Sequence, residues 1–230
     1  MARDSGPSRR SKRNGPSGAV VVGLGRFGKS LALELIEEGI EVLGIDDNPK
    51  TVQALAGRLT HVVQADSTSE EALRQLSVHE FDRAVVGVGS DLEASILTSS
   101  ILVNFGVRDI WAKAISHSHA RILTQLGVHH VVRPEHDMGK RVAHLVRGRM
   151  LDYIEFDDGY AIVKTQPPES LYGLPLGQSR VRSRYGVTVV GVKRAGEDFT
   201  HATPETVVHQ GDLIIVSGPE DGVERFSDLP

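Results

Sequence analysis

A short apolar run that breaks into a glycine turn and then into a helical pattern leaves a chain few folds to choose from. Ala19-Val20-Val21-Val22 is such a run, rich in β-branched side chains. It has the composition of a strand buried on both faces. Gly23-Leu24-Gly25-Arg26-Phe27-Gly28 follows as G-x-G-x-x-G. Phe27, Leu31 and Leu35, with Ala32 and Ile36, then mark one face of a helix, and Gly39 is placed to stop it. In that context the three glycines have separate duties. Gly23 permits the tight turn, Gly25 lets a pyrophosphate approach the backbone, and Gly28 lets helix and strand pack closely.

The same alternation continues. Strands are expected at Glu41–Ile45, His61–Gln64, Ala84–Val88, Ile110–Ala114 and His130–Val132. Helices are expected over 50–58, 69–77, 91–105 and 118–126. Six β-α repeats with short connections predict an α/β fold, a Rossmann-like doubly wound parallel sheet. After Pro134 the pattern changes. Met138, Val142, Leu145, Val146 and Met150 predict one amphipathic helix over 137–150, and strand-like segments separated by turns dominate the rest. The expected organisation is therefore a tail at 1–17, a nucleotide-binding domain at 18–136, a connecting helix at 137–150 and a small α+β domain at 151–230.

Composition narrows the function. The 230 residues include no cysteine, which excludes disulfides, thiolate zinc sites and thiol catalysis and fits a reducing cytoplasm. The tail carries five bases and one acid among Ser, Gly and Pro, so disorder is expected there. It reads either as a solubilising tail or as an electrostatic contact for anionic lipid or an acidic partner. The remaining chain is acidic, which argues against a nucleic-acid partner. No apolar run approaches the ~20 residues that span a bilayer, and no apolar stretch makes the N-terminus a signal peptide. A soluble protein is expected, reaching a membrane only through a partner.

The candidate ligand residues gather around the expected carboxyl edge of the sheet. Asp46 follows Gly28 by 18 residues, where a carboxylate accepts hydrogen bonds from ribose hydroxyls, with Asp47 beside it. A 2′-phosphate there would be repelled, which disfavours NADP. Arg26 either pairs with a phosphate in bidentate fashion or lies over the loop in solvent. Asp66-Ser67-Thr68 either touches the base or ribose, or Ser67 or Ser69 caps the next helix. Gly87 and Gly89 follow the fourth strand beside the same crevice. Lys113 meets a phosphate or pairs with Glu135. The ten histidines show no HExxH or other strong ligand spacing. G-x-S-x-G is absent, and Gly28-Lys29-Ser30 lacks the preceding glycine of a P-loop.

Taken in order, VVGLGRFGKSLALEL, EVLGID, VVQADSTSEEAL, VVGVGSDLEASIL, IWAKA and VVRPEHDMGKRVA resemble the KtrA/TrkA-type regulatory subunits of bacterial potassium uptake systems. YIEFDDGYAIV, RVRSRYGVTVVGVKR and GDLIIVSG resemble the family's C-terminal RCK domain. The resemblance runs from about residue 18 to 230, and GRFG with PEHDMG is most similar to the KtrA branch. It implies RCK N- and C-domains, dimers within an octameric ring, and a membrane-embedded potassium-translocating partner. It implies a non-enzymatic, cytoplasmic gating subunit held at the inner face of the membrane. ATP or ADP would bind the N-domain cleft, as NAD or NADH does in some relatives. Carried over by motif, Arg26 would reach the terminal phosphate of ATP, including one held by a neighbouring subunit, and Asp46 would hold the ribose. Phe27 lies in the same loop. Glu135 would help bind Mg2+ or another cation near the phosphates. Arg182 and Pro204 fall in segments that match a cyclic di-AMP site, flanked by Val181, Ser183 and Thr203. Here Gln178 and Arg180 make that segment more polar than in the family.

Two other classes compete. An NAD-dependent oxidoreductase is allowed by the glycine turn and Asp46, but the second domain offers no evident acid/base pair. A nucleotide-sensing transcription regulator is allowed by the basic tail. The acidic body and the lack of a helix-turn-helix pattern argue against it.

Overall fold

A computed structural model describes residues 18–147 and 150–230. The expected tail at 1–17 lies outside the described residues. The chain forms two compact units, one running to Pro134 and one from Glu135 to Pro230.

The first unit is built from β1 (Ala19–Val22), α1 (Arg26–Glu37), β2 (Val42–Asp46), α2 (Pro49–Leu55), β3 (His61–Gln64), α3 (Glu70–Gln75), β4 (Arg83–Val86), α4 (Leu92–Asn104), β5 (Asp109–Lys113), α5 (His117–Gln125) and β6 (His130–Val132). The six strands are parallel and lie in the order β3-β2-β1-β4-β5-β6. β1 sits centrally, which explains its unbroken apolar sequence. Val20 and Val22 enter one core with Ile45, Val86 and Leu102, while Val21 enters the other with Leu24, Ala32 and Leu55. Alternate side chains of one strand thus fill both faces. Each such fully buried side chain contributes about 1.5–3 kcal/mol.

The glycine turn is required by geometry. Gly23 has φ +82°, a left-handed conformation that favours glycine. A Cβ on Gly28 would lie 1.9 Å from the Gly23 carbonyl oxygen, so α1 can leave the sheet only where that residue has no side chain. Gly39, also at positive φ, stops α1 as expected. α2 is shorter than the expected 50–58. It closes at Ala56, whose ψ of 127° leaves the helix, just before Gly57 at φ +76°.

In the second unit, α6 (Pro134–Arg147) is followed by β7 (Met150–Phe156), β8 (Tyr160–Thr165), α7 (Leu176–Ser179), α8 (Val181–Tyr185), β9 (Thr188–Lys193), β10 (Thr200–His201), β11 (Leu213–Pro219) and α9 (Glu220–Ser227). The sheet is antiparallel in the order β10-β9-β11-β8-β7. The helix expected over 137–150 instead starts at Pro134. Proline suits a first helical position, and Glu135 and Asp137 favour the first turn. Met150, expected to end that helix, opens β7 and pairs with Thr165. Met150 and Tyr153 are buried with Ala161, Val163, Ile214, Val216, Val223 and Phe226. α9 has no counterpart among the expected elements. Gly222 weakens its helical pattern, but Val223 and Phe226 are buried and hold it to the sheet. Among the described residues no helix is long and apolar enough to cross a membrane.

Candidate functional site

The strand order reverses between β1 and β4, and a crevice opens at the carboxyl ends of the strands around that point. Its cavity is about 320 Å³ and is lined in part by Gly23, Gly25, Asp46, Asp47, Asp66, Ser67, Gly87 and Gly89. The topology therefore brings together eight expected residues from four separate loops.

Asp46 organises this edge. Its Oδ2 accepts the Leu24 N–H at 2.6 Å and its Oδ1 accepts the Asn48 N–H at 3.0 Å. One carboxylate thus ties the glycine turn to the end of β2. Each oxygen has a second lone pair, so both bonds leave acceptor capacity for a ribose diol. Asp66 accepts from the Thr68 N–H at 2.8 Å and from its hydroxyl at 2.7 Å. The hydroxyl bond, then the backbone bond, hold the Asp66 carboxyl below its ordinary range. Ser67 is positioned from α4, where the buried Thr98 hydroxyl donates to Ser67 Oγ at 2.9 Å. The two readings of this loop separate here. Ser69, not Ser67, caps α3, accepting from Ala72 N–H at 3.3 Å.

The helix ends show where negative charge can be received. α2, α3, α4 and α5 are each capped by a side chain, from Asn48, Ser69, Asp91 and Ser116. α1 begins at Gly25 with no side-chain cap. A Cβ at Gly25 would meet nothing within 4 Å, so its side of the turn is open. Uncapped N–H groups at a helix start, with the partial positive charge of the helix, form a phosphate site.

Five expected residues, Arg26, Phe27, Gly28, Lys113 and Glu135, stand outside the cavity lining. Gly28 is buried beneath the turn. Arg26 is the first residue of α1 and is exposed, and its side chain makes no hydrogen bond or ion pair with the described residues. Phe27 is half-buried, and Lys113 Nζ lies 5.9 Å from its ring centroid. Glu135 is exposed in the first turn of α6, in the second unit. Thr51, Asp91 and Ala94, which are not among the expected residues, also line the cavity. Asp91 carried a signal, a D-x-x-A start before an apolar helix, and its Oδ1 accepts Ala94 N–H at 2.9 Å.

Among the described residues the lining holds Asp46, Asp47, Asp66 and Asp91 but no lysine or arginine. Its charge is therefore polarised. The acidic lining suits hydroxyls and amines, while the uncapped start of α1 suits negative charge.

A second cavity, about 580 Å³, lies in the second unit. Arg182 and Pro204 both line it, as do Val181, Ser183, Thr203 and Arg180, but not Gln178. Arg182 Nε donates to Thr188 Oγ1 at 3.1 Å, which ties α8 to β9 across this cavity. The floor is apolar, with Leu176, Val187 and Val189, and the two arginines supply positive charge.

A parallel sheet in this order, with its glycine turn and β2 carboxylate at the switch point, defines a Rossmann-like domain of the nucleotide-binding class. Residues 19–134 match the TrkA-N domain and residues 160–230 the TrkA-C domain. The chain is 38% identical over 207 residues to Ktr system potassium uptake protein C of Bacillus subtilis (strain 168), covering 90% of this chain and 94% of that protein. It is 34% identical over 209 residues to Ktr system potassium uptake protein A of the same organism, again covering 90% and 94%. The chain belongs to this TrkA/Ktr family of potassium uptake proteins. The crystal structure of the GsuK RCK domain shares the fold, with TM-score 0.65 and 18% identity over 99% of this chain, which spans 51% of that one.

Proposed function

We propose that this chain is a nucleotide-sensing regulatory subunit of a potassium uptake system, with ATP and ADP competing for the first unit's crevice. The observation that carries this reading is the uncapped start of α1 beside Asp46. Together they provide a phosphate site and a ribose acceptor side by side, since Asp46 Oδ2 accepts the Leu24 N–H of the same turn. The adenosine end lies toward Asp46, Asp47, Asp66 and Ser67, and the phosphates lie over Gly25. Arg26 reaches the terminal phosphate, in its own or a neighbouring subunit, and Glu135 helps hold Mg2+ or another cation there. A charged hydrogen bond contributes about 1.5–3 kcal/mol. That is enough for the ~1–3 kcal/mol coupling typical of allostery. The ligand with the extra phosphate then favours one ring geometry over another.

The chain is not an enzyme in this reading. It works in the cytoplasm at the inner face of the membrane, bound to a potassium-translocating subunit. Its copies pair into dimers of an octameric ring. Supporting this, Met138, Val142 and Val146 form an exposed apolar stripe along α6 at helical spacing. The second cavity is proposed to take cyclic di-AMP, with Arg182 and Pro204 among its contacts. An NAD(H)-sensing regulator is the second reading, since Asp46 suits either ribose.

Calorimetric titration with ATP, ADP, NADH and cyclic di-AMP, with and without Mg2+ or Ca2+, tests the assignment. Tight ATP and ADP binding is expected, with a cation effect lost in Glu135→Gln. Arg26→Ala should reduce the preference for ATP over ADP. Exclusive NADH binding, or an unchanged ATP/ADP ratio in Arg26→Ala, would remove the role given to Arg26. Turnover of NADH with a carbonyl substrate would point to an oxidoreductase instead.

A further inference from the structure

In the second unit, α6 and α9 bring together three side chains that no single segment of sequence groups. Glu220 and Glu224 are four residues apart on α9 and so share one face. His144 on α6 faces both. Its Nδ1 lies 3.1 Å from Glu224 Oε1 and its Nε2 lies 3.7 Å from Glu220 Oε1. One ligating atom from each of the three residues lies within 4.8 Å of the other two. Ligands about 2.0–2.2 Å from a tetrahedral ion stand roughly 3.3–3.6 Å from one another. One His144 ring nitrogen and one oxygen of each glutamate thus lie close to the spacing around a single ion, and small side-chain adjustments close the difference.

The surroundings hold these groups in place. Tyr153 on β7 donates its hydroxyl to Glu220 Oε1 at 3.1 Å. The His144 ring stacks on the Tyr153 ring, with centroids 4.1 Å apart and planes 13° from parallel. The His144 side chain is only 17% exposed. Outer hydrogen bonds and fixed rings of this kind orient metal ligands.

We propose that His144, Glu220 and Glu224 form a binding site for a first-row divalent metal ion of the zinc type, with water completing the coordination. One imidazole with two carboxylates suits Zn2+ or a neighbouring ion, whereas Mg2+ and Ca2+ prefer all-oxygen sets. Because the ligands come from two helices, an ion there pins α6 to α9. The site is separate from the nucleotide crevice and stands or falls without it.

Titration calorimetry of the full chain with ZnCl2, without nucleotide, tests the proposal. Wild type is expected to bind one Zn2+ per chain at this site, and excess MgCl2 should not displace it. His144→Gln and Glu224→Gln should each weaken that binding tenfold or more while retaining far-UV circular dichroism. Zinc-soaked crystals should show an anomalous peak between α6 and α9. Glu220→Gln, which keeps the side-chain shape, applies the same criterion if either other variant fails to fold. No zinc binding by wild type overturns the proposal and leaves His144 as an ion-pair partner of the two glutamates. Equal binding by wild type and the folded variants also overturns it, by placing the ion on other histidines.

Discussion

Gly28 has no room for a methyl group, because the Gly23 carbonyl oxygen would sit 1.9 Å from it and both are backbone-fixed. Gly28→Ala should therefore destabilise the first unit by about 3 kcal/mol, and nucleotide binding should fall with the displaced turn. Thermal unfolding and titration calorimetry would measure both. His119 offers a second residue-scale test. It is 1% exposed, its Nδ1 accepts the Ile115 N–H at 3.4 Å, and its Nε2 has no hydrogen-bond partner among the described residues. Burial lowers its pKa from the ordinary 6.5, so the folded chain resists the proton that the unfolded chain accepts. The stabilisation is complete above about pH 6.5 and is lost as pH falls through the folded value. The urea midpoint followed by Trp111, the chain's single tryptophan, should drop between pH 7.5 and 5.5. A His119→Leu variant should show a smaller drop.

At the scale of elements, side-chain caps start α2, α3, α4 and α5, and among the described residues none caps α1. Asp91 combines both roles, since it caps α4 and lines the crevice. Asp91→Ala should cost about 1 kcal/mol through the lost cap, seen as a lower melting temperature. It also removes a negative charge from the lining, so affinity for an anionic nucleotide should hold or rise. A tenfold loss of nucleotide affinity would instead make Asp91 a direct ligand contact. α6 shows the same division of labour on two faces. Arg141 pairs with Asp152, and Leu145 packs against the second unit's core, while Met138, Val142 and Val146 stay exposed.

For the whole molecule, that exposed stripe is the feature most open to test. Val142→Asp should lower the mass measured by light scattering while leaving circular dichroism unchanged, because Val142 is already 45% exposed in the single chain. An unchanged mass would place the contacts between copies elsewhere. The two cavities lie in separate units, so ligands for each should bind when the other cavity is altered. Any influence between them would then be an allosteric coupling, equal in both directions.

By itself the sequence determined the doubly wound unit, its glycine turn and Asp46. Strand burial, helical period and the Gly28 to Asp46 spacing all operate within one β-α-β segment. It also marked the loops at Asp66–Ser67 and Gly87–Gly89, because parallel strands bring successive carboxyl-end loops to one edge. The tertiary structure alone decided the rest. Thr51, Asp91 and Ala94 join the crevice only after separate β-α units are laid side by side. α7, α8 and α9 are short, and α9 forms because Val223 and Phe226 are buried against a sheet. His144 meets Glu220 across 76 residues of chain. Local spacing carries no trace of such a pair, because packing between distant segments creates it.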